Sequence, residues 1–157
     1  MAKEIQIVGL RIGRETFGIP IALVREIVRV PEITAVPNAP DYVEGVINLR
    51  GRIISVIDLR KRFGDPHLEI TKKTRVVVVE IENRTVGLVV HSASEVLKIA
   101  PSDIEPPGKV FPDGEMDYVT GVGKLKDRLI ILLELSKILK SGELRHLDQL
   151  ASPAAVV

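Results

Sequence analysis

Apolar residues along this chain alternate with polar ones or form short runs, a pattern typical of β-strands. Strands that pair across tight polar turns are predicted at residues 5–12, 16–19, 75–81 and 85–90. The runs 53–57 and 129–133 are almost wholly apolar, which predicts strands that are buried on both faces. Residues 21–27 and 93–97 carry apolar side chains three or four positions apart, so we expect one or two helical turns in each segment.

The chain contains an internal repeat. Residues 42–59 align without gaps with residues 118–135, at an offset of 76, and 8 of the 18 positions are identical. Upstream, four residues beginning at Glu15 and three beginning at Glu26 are matched by similar residues 69 positions later. A match in this order is unlikely to arise by chance, so we interpret the chain as two related halves.

Each half shows the same order of five short strands, which is too few for a β-sandwich. A small closed barrel would remove the exposed strand edges. We therefore predict an all-β fold for the single domain 1–157: two five-stranded barrels related by a pseudo-twofold axis, each with its own aliphatic core, and short helices. The halves would be 3–70 and 72–140, followed by a tail at 141–157. The sequence leaves open whether the halves exchange strands.

Composition narrows the range of functions. Val and Ile supply 39 of 157 residues, whereas there are only five aromatic residues, no cysteine and a net charge of +1. These values exclude thiolate metal sites and weigh against nucleic-acid binding. We expect a cytoplasmic protein that does not insert into the membrane, because no signal peptide or membrane span is visible. Basic residues, which form either a solvated face or a protein-binding face, cluster at Arg50, Arg52, Arg60, Lys61 and Arg62.

Candidate catalytic groups are few. Asp58 and Glu134 occupy equivalent positions of the repeat, and a twofold axis could bring two such carboxylates together to share a proton. A helix N-cap at Asp58, with a short helix over 59–63, explains the same residue without catalysis. His91 is interpreted as a polar residue that ends a strand. No metal or cofactor site is predicted, and a small β-barrel enzyme that uses Asp58 and Glu134 stays the remote alternative to a binding protein.

Residues 24–27 and 45–60 carry a long motif, whose core reads Gly-Val-x-Asn-Leu-Arg-Gly-x-Ile-x-x-Val-x-Asp-Leu. The motif strongly resembles the CheW family of bacterial chemotaxis coupling proteins, and the resemblance extends over about residues 4–140. It implies a fold of two SH3-like five-stranded barrels. It also implies a non-catalytic adaptor that needs no cofactor.

The resemblance implies partners as well. The adaptor would join the cytoplasmic tip of a methyl-accepting chemoreceptor to the regulatory domain of the histidine kinase CheA, within membrane receptor arrays. Carried over by motif position, the residues that would belong to or support the partner-binding surfaces are Val24, Glu26, Ile27, Gly45, Arg50 and Val96. Gly45 and Gly51 are expected to be backbone-conformation residues. Arg50 would be either a partner contact or an inward hydrogen-bond donor. The second half lacks the Asn-Leu-Arg-Gly turn, so this role does not transfer to Lys126. The same residues would serve an adaptor of a non-motility chemosensory pathway.

Overall fold

The computed structural model describes residues 4–39, 43–106 and 118–138, which are mainly β-strands. The strands are β1 (Ile5–Ile12), β2 (Glu15–Pro20), β3 (Val24–Arg29), β4 (Val43–Leu49), β5 (Arg52–Asp58), β6 (Arg75–Ile81), β7 (Arg84–Val90), β8 (Ser92–Ile99), β9 (Ile104–Glu105), β10 (Val119–Leu125) and β11 (Arg128–Leu133). Within these ranges, two short α-helices, α1 (Leu59–Arg62) and α2 (Leu135–Ile138), follow β5 and β11. The predicted all-β class with short helices is confirmed. The predicted tail, 141–157, lies outside the described residues.

The strands form two sheets. The first sheet has the order β8-β1-β2-β11-β10-β9, and the second has the order β3-β6-β7-β5-β4. Most neighbouring strands are antiparallel. Each sheet also contains one parallel pair, which joins a hairpin from one half of the chain to a hairpin from the other half. The parallel pairs are β2 with β11 in the first sheet and β5 with β7 in the second. The repeat relates the two sheets strand by strand. The order β3-β6-β7-β5-β4 of the second sheet corresponds to the order β8-β1-β2-β11-β10 of the first.

The sheets do not follow the two halves of the chain. The first sheet takes β1 and β2 from the first half and its other strands from the second half, while the second sheet takes only β6 and β7 from the second half. The halves therefore exchange their first hairpins, which answers the question that the sequence left open. The bounds 3–70 and 72–140 stay a prediction.

The helical turns predicted at 21–27 and 93–97 are wrong for most of their length. Only Ile21–Leu23 forms a single 3₁₀ turn, and the remaining residues belong to the strands β3 and β8. Each strand contains a β-bulge, so no residue of the neighbouring strand lies directly opposite Arg25 or Ser94 in the register. Side chains of a regular strand alternate between the two faces of the sheet. A bulge adds one residue to this alternation, so apolar residues on one face become three positions apart, as they are in a helix.

The buried apolar residues among those that the structure describes form three clusters rather than the two cores expected. The largest lies between the sheets and contains residues of both, among them Leu10, Ile19, Val77, Leu88 and Leu133. The other two clusters each belong to one sheet. Successive residues of the apolar run 76–79 contribute to different clusters, so this run is buried on both faces.

Candidate functional site

A polar groove with a volume of about 560 Å³ opens between the edge strand β3 and the β4–β5 turn of the second sheet. Its floor contains the apolar residues Ile54 and Val78. The polar residues that line it are Arg25, Glu26, Arg50, Arg52, Glu80 and Thr85. Because three of these residues are arginines and two are glutamates, ion pairs dominate the groove.

The β4–β5 turn positions Arg50 in the groove. Arg50 and Gly51 have φ values of 52° and 87°, the left-handed conformation that both central residues of a two-residue type I′ turn require. The backbone N–H of Gly51 donates to Oδ1 of Asn48 over 2.8 Å, which stabilises the turn. This geometry explains the Asn-Leu-Arg-Gly part of the motif: Asn and Gly set the backbone, and Arg50 is the side chain that the turn presents.

Arg50 forms an ion pair with Glu26 of β3, across 24 positions of sequence. The hydrogen bond from Arg50 holds the pKa of the Glu26 carboxyl below its usual value, and the same bond raises the pKa of Arg50. The side chain of Arg50 is 71% exposed and that of Glu26 is 28% exposed. Of the two predicted roles, the geometry therefore favours an outward contact for Arg50 over an inward structural hydrogen bond.

A second ion pair, Arg25 with Glu80, joins β3 to β6 beside the first pair. Arg25 is the bulge residue of β3. Sequence reasoning missed this pair, since it assigned the segment to a helix. The bulge recurs at the equivalent place in the second half, at Ser94, but the apolar spacing there also imitates a helix, so the sequence carried no signal for it.

The other predicted residues have different environments. Ile27 is next to Glu26 and is 36% exposed, whereas Val24 is partly buried and packs against the large apolar cluster between the sheets. Gly45 is buried, and a Cβ atom placed on it would lie 2.1 Å from the carbonyl oxygen of Thr34. Gly45 is therefore a site of close backbone approach rather than a surface contact. Val96 lies on β8 of the first sheet, where it is 57% exposed.

Thus the structure brings Glu26, Ile27 and Arg50 together and leaves Val96 on the other sheet. Ile27 and Val96 are nevertheless related, because they are 69 positions apart and occupy equivalent places in the repeat. A second equivalent pair, Ile53 and Leu129, is also exposed. Burial on both faces was expected there, and it is wrong for these two residues, which lie near the turns.

The alternative that used Asp58 and Glu134 is not supported by the surroundings of Asp58. Asp58 accepts hydrogen bonds from the backbone N–H, Nε and Nη2 of Arg60 over 2.9–3.0 Å, and both side chains are 2% exposed. Glu134 instead accepts a hydrogen bond from Ser136 Oγ over 2.7 Å. The predicted N-cap at Asp58 is confirmed. The predicted surface cluster is wrong for Arg60, whose charge is neutralised in the interior.

Among residues 4–39, 43–106 and 118–138, no three His, Asp or Glu side chains are grouped so that they could hold a metal ion. Within the same ranges, no helix has the length and apolar character needed to span a bilayer.

Comparisons with known proteins agree with the fold and with the motif. The chain is 36% identical to the chemotaxis protein CheW of Klebsiella aerogenes over 140 residues, 89% of this chain and 84% of that protein. It is 37% identical over 136 residues to the CheW of Helicobacter pylori, which covers 87% and 82% of the two chains. The crystal structure of the scaffolding protein TtCheW from Thermoanaerobacter tengcongensis matches with a TM-score of 0.79 and 37% identity, over 91% of this chain and 96% of that one. A family model described as a CheW-like domain matches residues 6–143, and this chain therefore belongs to the CheW-like family.

Proposed function

We propose that this protein is a non-catalytic adaptor that couples the cytoplasmic tip of a chemoreceptor to the regulatory domain of the histidine kinase CheA. Membership of the CheW-like family makes it a scaffold of chemotaxis signalling, and related proteins are named accordingly. The two partners are the further step of the proposal. Its cellular place would be the cytoplasmic side of a membrane receptor array.

The observation that carries the proposal is the exposed ion pair of Arg50 and Glu26 beside the apolar side chain of Ile27. An exposed arginine next to an apolar side chain is typical of protein-binding surfaces, where arginine is enriched. The ion pair joins two elements, so the guanidinium is held in position before a partner arrives.

Two separate surfaces support an adaptor rather than a protein with one partner. Ile27 is exposed on the second sheet and Val96 on the first, both on edge strands. Because the repeat relates these positions, two partners of similar shape could each occupy one of them. Neither contact needs high affinity, since a multivalent assembly raises the effective concentration of each component.

The test is to measure binding of the full chain to a CheA regulatory domain and, separately, to a receptor-tip fragment. Arg50→Glu places a carboxylate beside Glu26, and we expect it to weaken binding to one partner roughly tenfold or more. Lys126→Glu is the matched control, because Lys126 is exposed and lies at the position equivalent to Arg50. Val96→Asp is the second variant, and we expect it to weaken binding to the other partner.

The circular dichroism spectrum and the melting temperature of each variant must match those of the wild type, so that a loss of binding cannot come from unfolding. If the wild-type chain failed to bind the CheA regulatory domain, or failed to bind the receptor-tip fragment, that result would contradict the proposal. Equal binding by wild type, Arg50→Glu and Val96→Asp would contradict the assigned surfaces. Val24→Asp is a poor test, because Val24 packs against the large apolar cluster between the sheets and the substitution would destabilise the fold.

A further inference from the structure

We propose that the region of the first sheet around Arg11 docks a protein partner through an acidic side chain of that partner, and that the opposite charges of Arg11 and Glu80 make the two surfaces select different partners. Arg11 and Glu80 are 69 positions apart, so they occupy equivalent places in the repeat. This inference rests on the proposed function, because it divides the two partners named there between the two surfaces.

The equivalence of Arg11 and Glu80 holds in the strand register as well as in the sequence. Glu80 of β6 lies opposite Thr85 of β7. Arg11 of β1 lies opposite Thr16 of β2. Residues that are directly opposite in an antiparallel pair share one face of the sheet. Each charged residue is therefore paired with a threonine, one strand in from the end of its sheet, and the sign of the charge is what distinguishes the two places.

The two charges differ in whether the protein itself neutralises them. Glu80 forms an ion pair with Arg25, and both residues line the polar groove of the second sheet. The residue equivalent to Arg25 in the first sheet is Ser94, which has no charge. Arg11 is exposed, and among the side chains that the structure describes no carboxylate lies within 4.0 Å of its guanidinium. The charge of Arg11 is therefore available to a partner, whereas the charge of Glu80 is not.

The surroundings of Arg11 indicate the chemistry of the partner. The backbone of Arg11 is fixed, because β1 pairs with β2 and β8 and the Arg11 carbonyl oxygen accepts the N–H of His91 over 2.9 Å. A guanidinium binds a carboxylate through two parallel hydrogen bonds. Val96, on the neighbouring strand β8, is 57% exposed and offers apolar area. A docking face that carries an aspartate or glutamate near apolar side chains matches these features, and a basic face would be repelled.

The experiment measures binding of the full chain to a CheA regulatory domain and, separately, to a receptor-tip fragment by isothermal titration calorimetry. We expect Arg11→Glu to weaken binding to one partner roughly tenfold or more and to change binding to the other by less than about twofold. The weakened partner should be the one that Val96→Asp also weakens, and not the one that Arg50→Glu weakens. Lys73→Glu, at an exposed position in the turn before β6, makes the same change in net charge and is the matched control.

Two further variants separate the charge of Arg11 from its shape and from the stability of the fold. Arg11→Lys keeps the charge and should keep most of the binding. Arg11→Gln removes the charge, so it should weaken binding and reduce the dependence of the affinity on salt. Because Arg11 is exposed, all three variants should keep the wild-type melting temperature.

The acidic residue of the partner can be located by charge exchange. Its surface carboxylates would be replaced one at a time by lysine and tested against Arg11→Glu. We expect one replacement to weaken binding to the wild-type chain and to restore binding to Arg11→Glu, which is the coupling that a direct contact produces.

Four results would overturn this inference while leaving the proposed function intact. They are wild-type binding of both partners by Arg11→Glu, equal weakening of both partners, weakening only of the partner that Arg50→Glu affects, and no lysine replacement that restores binding. Failure of the wild-type chain to bind one of the two partners is a different result, since it would contradict the proposed function and this inference together.

Discussion

The guanidinium of Arg60 binds both carboxylate oxygens of Asp58, two residues earlier, in an interior where each side chain is 2% exposed. Its remaining donors reach the carbonyl oxygens of Leu68 and Glu69 over 3.0 and 2.9 Å. A single buried arginine thus connects the end of β5 and the start of α1 to the segment that leads into the second half. Its charge and its donors are satisfied together, which is the condition under which a buried ion pair is tolerated.

Breaking this pair should destabilise the protein strongly. Asp58→Asn or Arg60→Met leaves one buried charge without its counter-ion, and we expect the free energy of unfolding to fall by about 3–5 kcal/mol. Urea denaturation followed by circular dichroism measures this change. Lys73→Met, at an exposed position in the turn before β6, is the matched control and should change the free energy by less than about 0.5 kcal/mol. A loss below about 1 kcal/mol in Arg60→Met would contradict the structural role of the pair.

The ion pair of Arg50 and Glu26 should have a measurable acid titration. The pKa of Glu26 is lowered in the folded protein, chiefly by the hydrogen bond from Arg50, so the carboxylate persists at pH values just below its ordinary 4.5. The contribution of the pair to stability is therefore present above pH 4.5 and is lost as the pH falls through the lowered pKa. Carbon-13 NMR of the Glu26 carboxyl would follow this titration.

Arg50→Ala should return the pKa of Glu26 towards 4.5, because the main cause of the shift is removed. Arg29→Ala, on the same strand, should leave the Glu26 titration unchanged, because the lowered pKa of Glu26 comes from Arg50 and Arg52. An unchanged Glu26 titration in Arg50→Ala would mean that the pair does not form in solution.

Gly45 should tolerate a side chain far less well than Gly51, although both have positive φ values. A Cβ on Gly45 would collide with the Thr34 carbonyl, which accepts the N–H of Val46, whereas nothing lies within 4 Å of a Cβ on Gly51. We expect Gly51→Ala to cost about 1–2 kcal/mol of backbone strain and Gly45→Ala to cost more than about 3 kcal/mol. Thermal and urea unfolding of the two variants would compare these costs, and equal losses would contradict the close approach to Thr34.

His91 should act as a connector rather than a reactive group. Its Nδ1 accepts from the backbone N–H of Gly13 over 2.9 Å, so Nε2 carries the proton and donates to the carbonyl oxygen of His67 over 2.8 Å. His91→Phe removes both bonds and should cost about 1–3 kcal/mol, with faster hydrogen exchange at the Gly13 amide. His67→Phe keeps the accepting carbonyl and is the control. Unchanged exchange at Gly13 in His91→Phe would refute this assignment.

Local features of the fold could be predicted from the sequence because local chemistry determines them. The apolar run at residues 76–79 predicted β6 with its observed bounds, and the carboxylate of Asp58 caps α1 as expected. The bulges at Arg25 and Ser94 could not be distinguished from helical turns, because one inserted residue changes the apparent period. The repeat predicted equivalence between the halves but carried no information on which hairpin pairs with which sheet.

The candidate site was predictable only in part. The motif points to Arg50, but its ion pair with Glu26 depends on the packing of β3 beside the β4–β5 turn. Arg60 was assigned to the surface because arginine is seldom buried, and its backbone acceptors in the following loop are not visible in a hydrophobic pattern. The exposure of Val96 likewise follows from the position of β8 at a sheet edge.

The exchange of hairpins resembles domain swapping that has been fixed within a single polypeptide. Each sheet needs strands from both halves, so a cut in the linker between them would yield fragments that each lack a hairpin from their sheet. Neither fragment would have a complete sheet alone, yet mixing them would restore every strand pairing. The halves are therefore complementary folding partners, and the chain should unfold as one cooperative unit rather than as two.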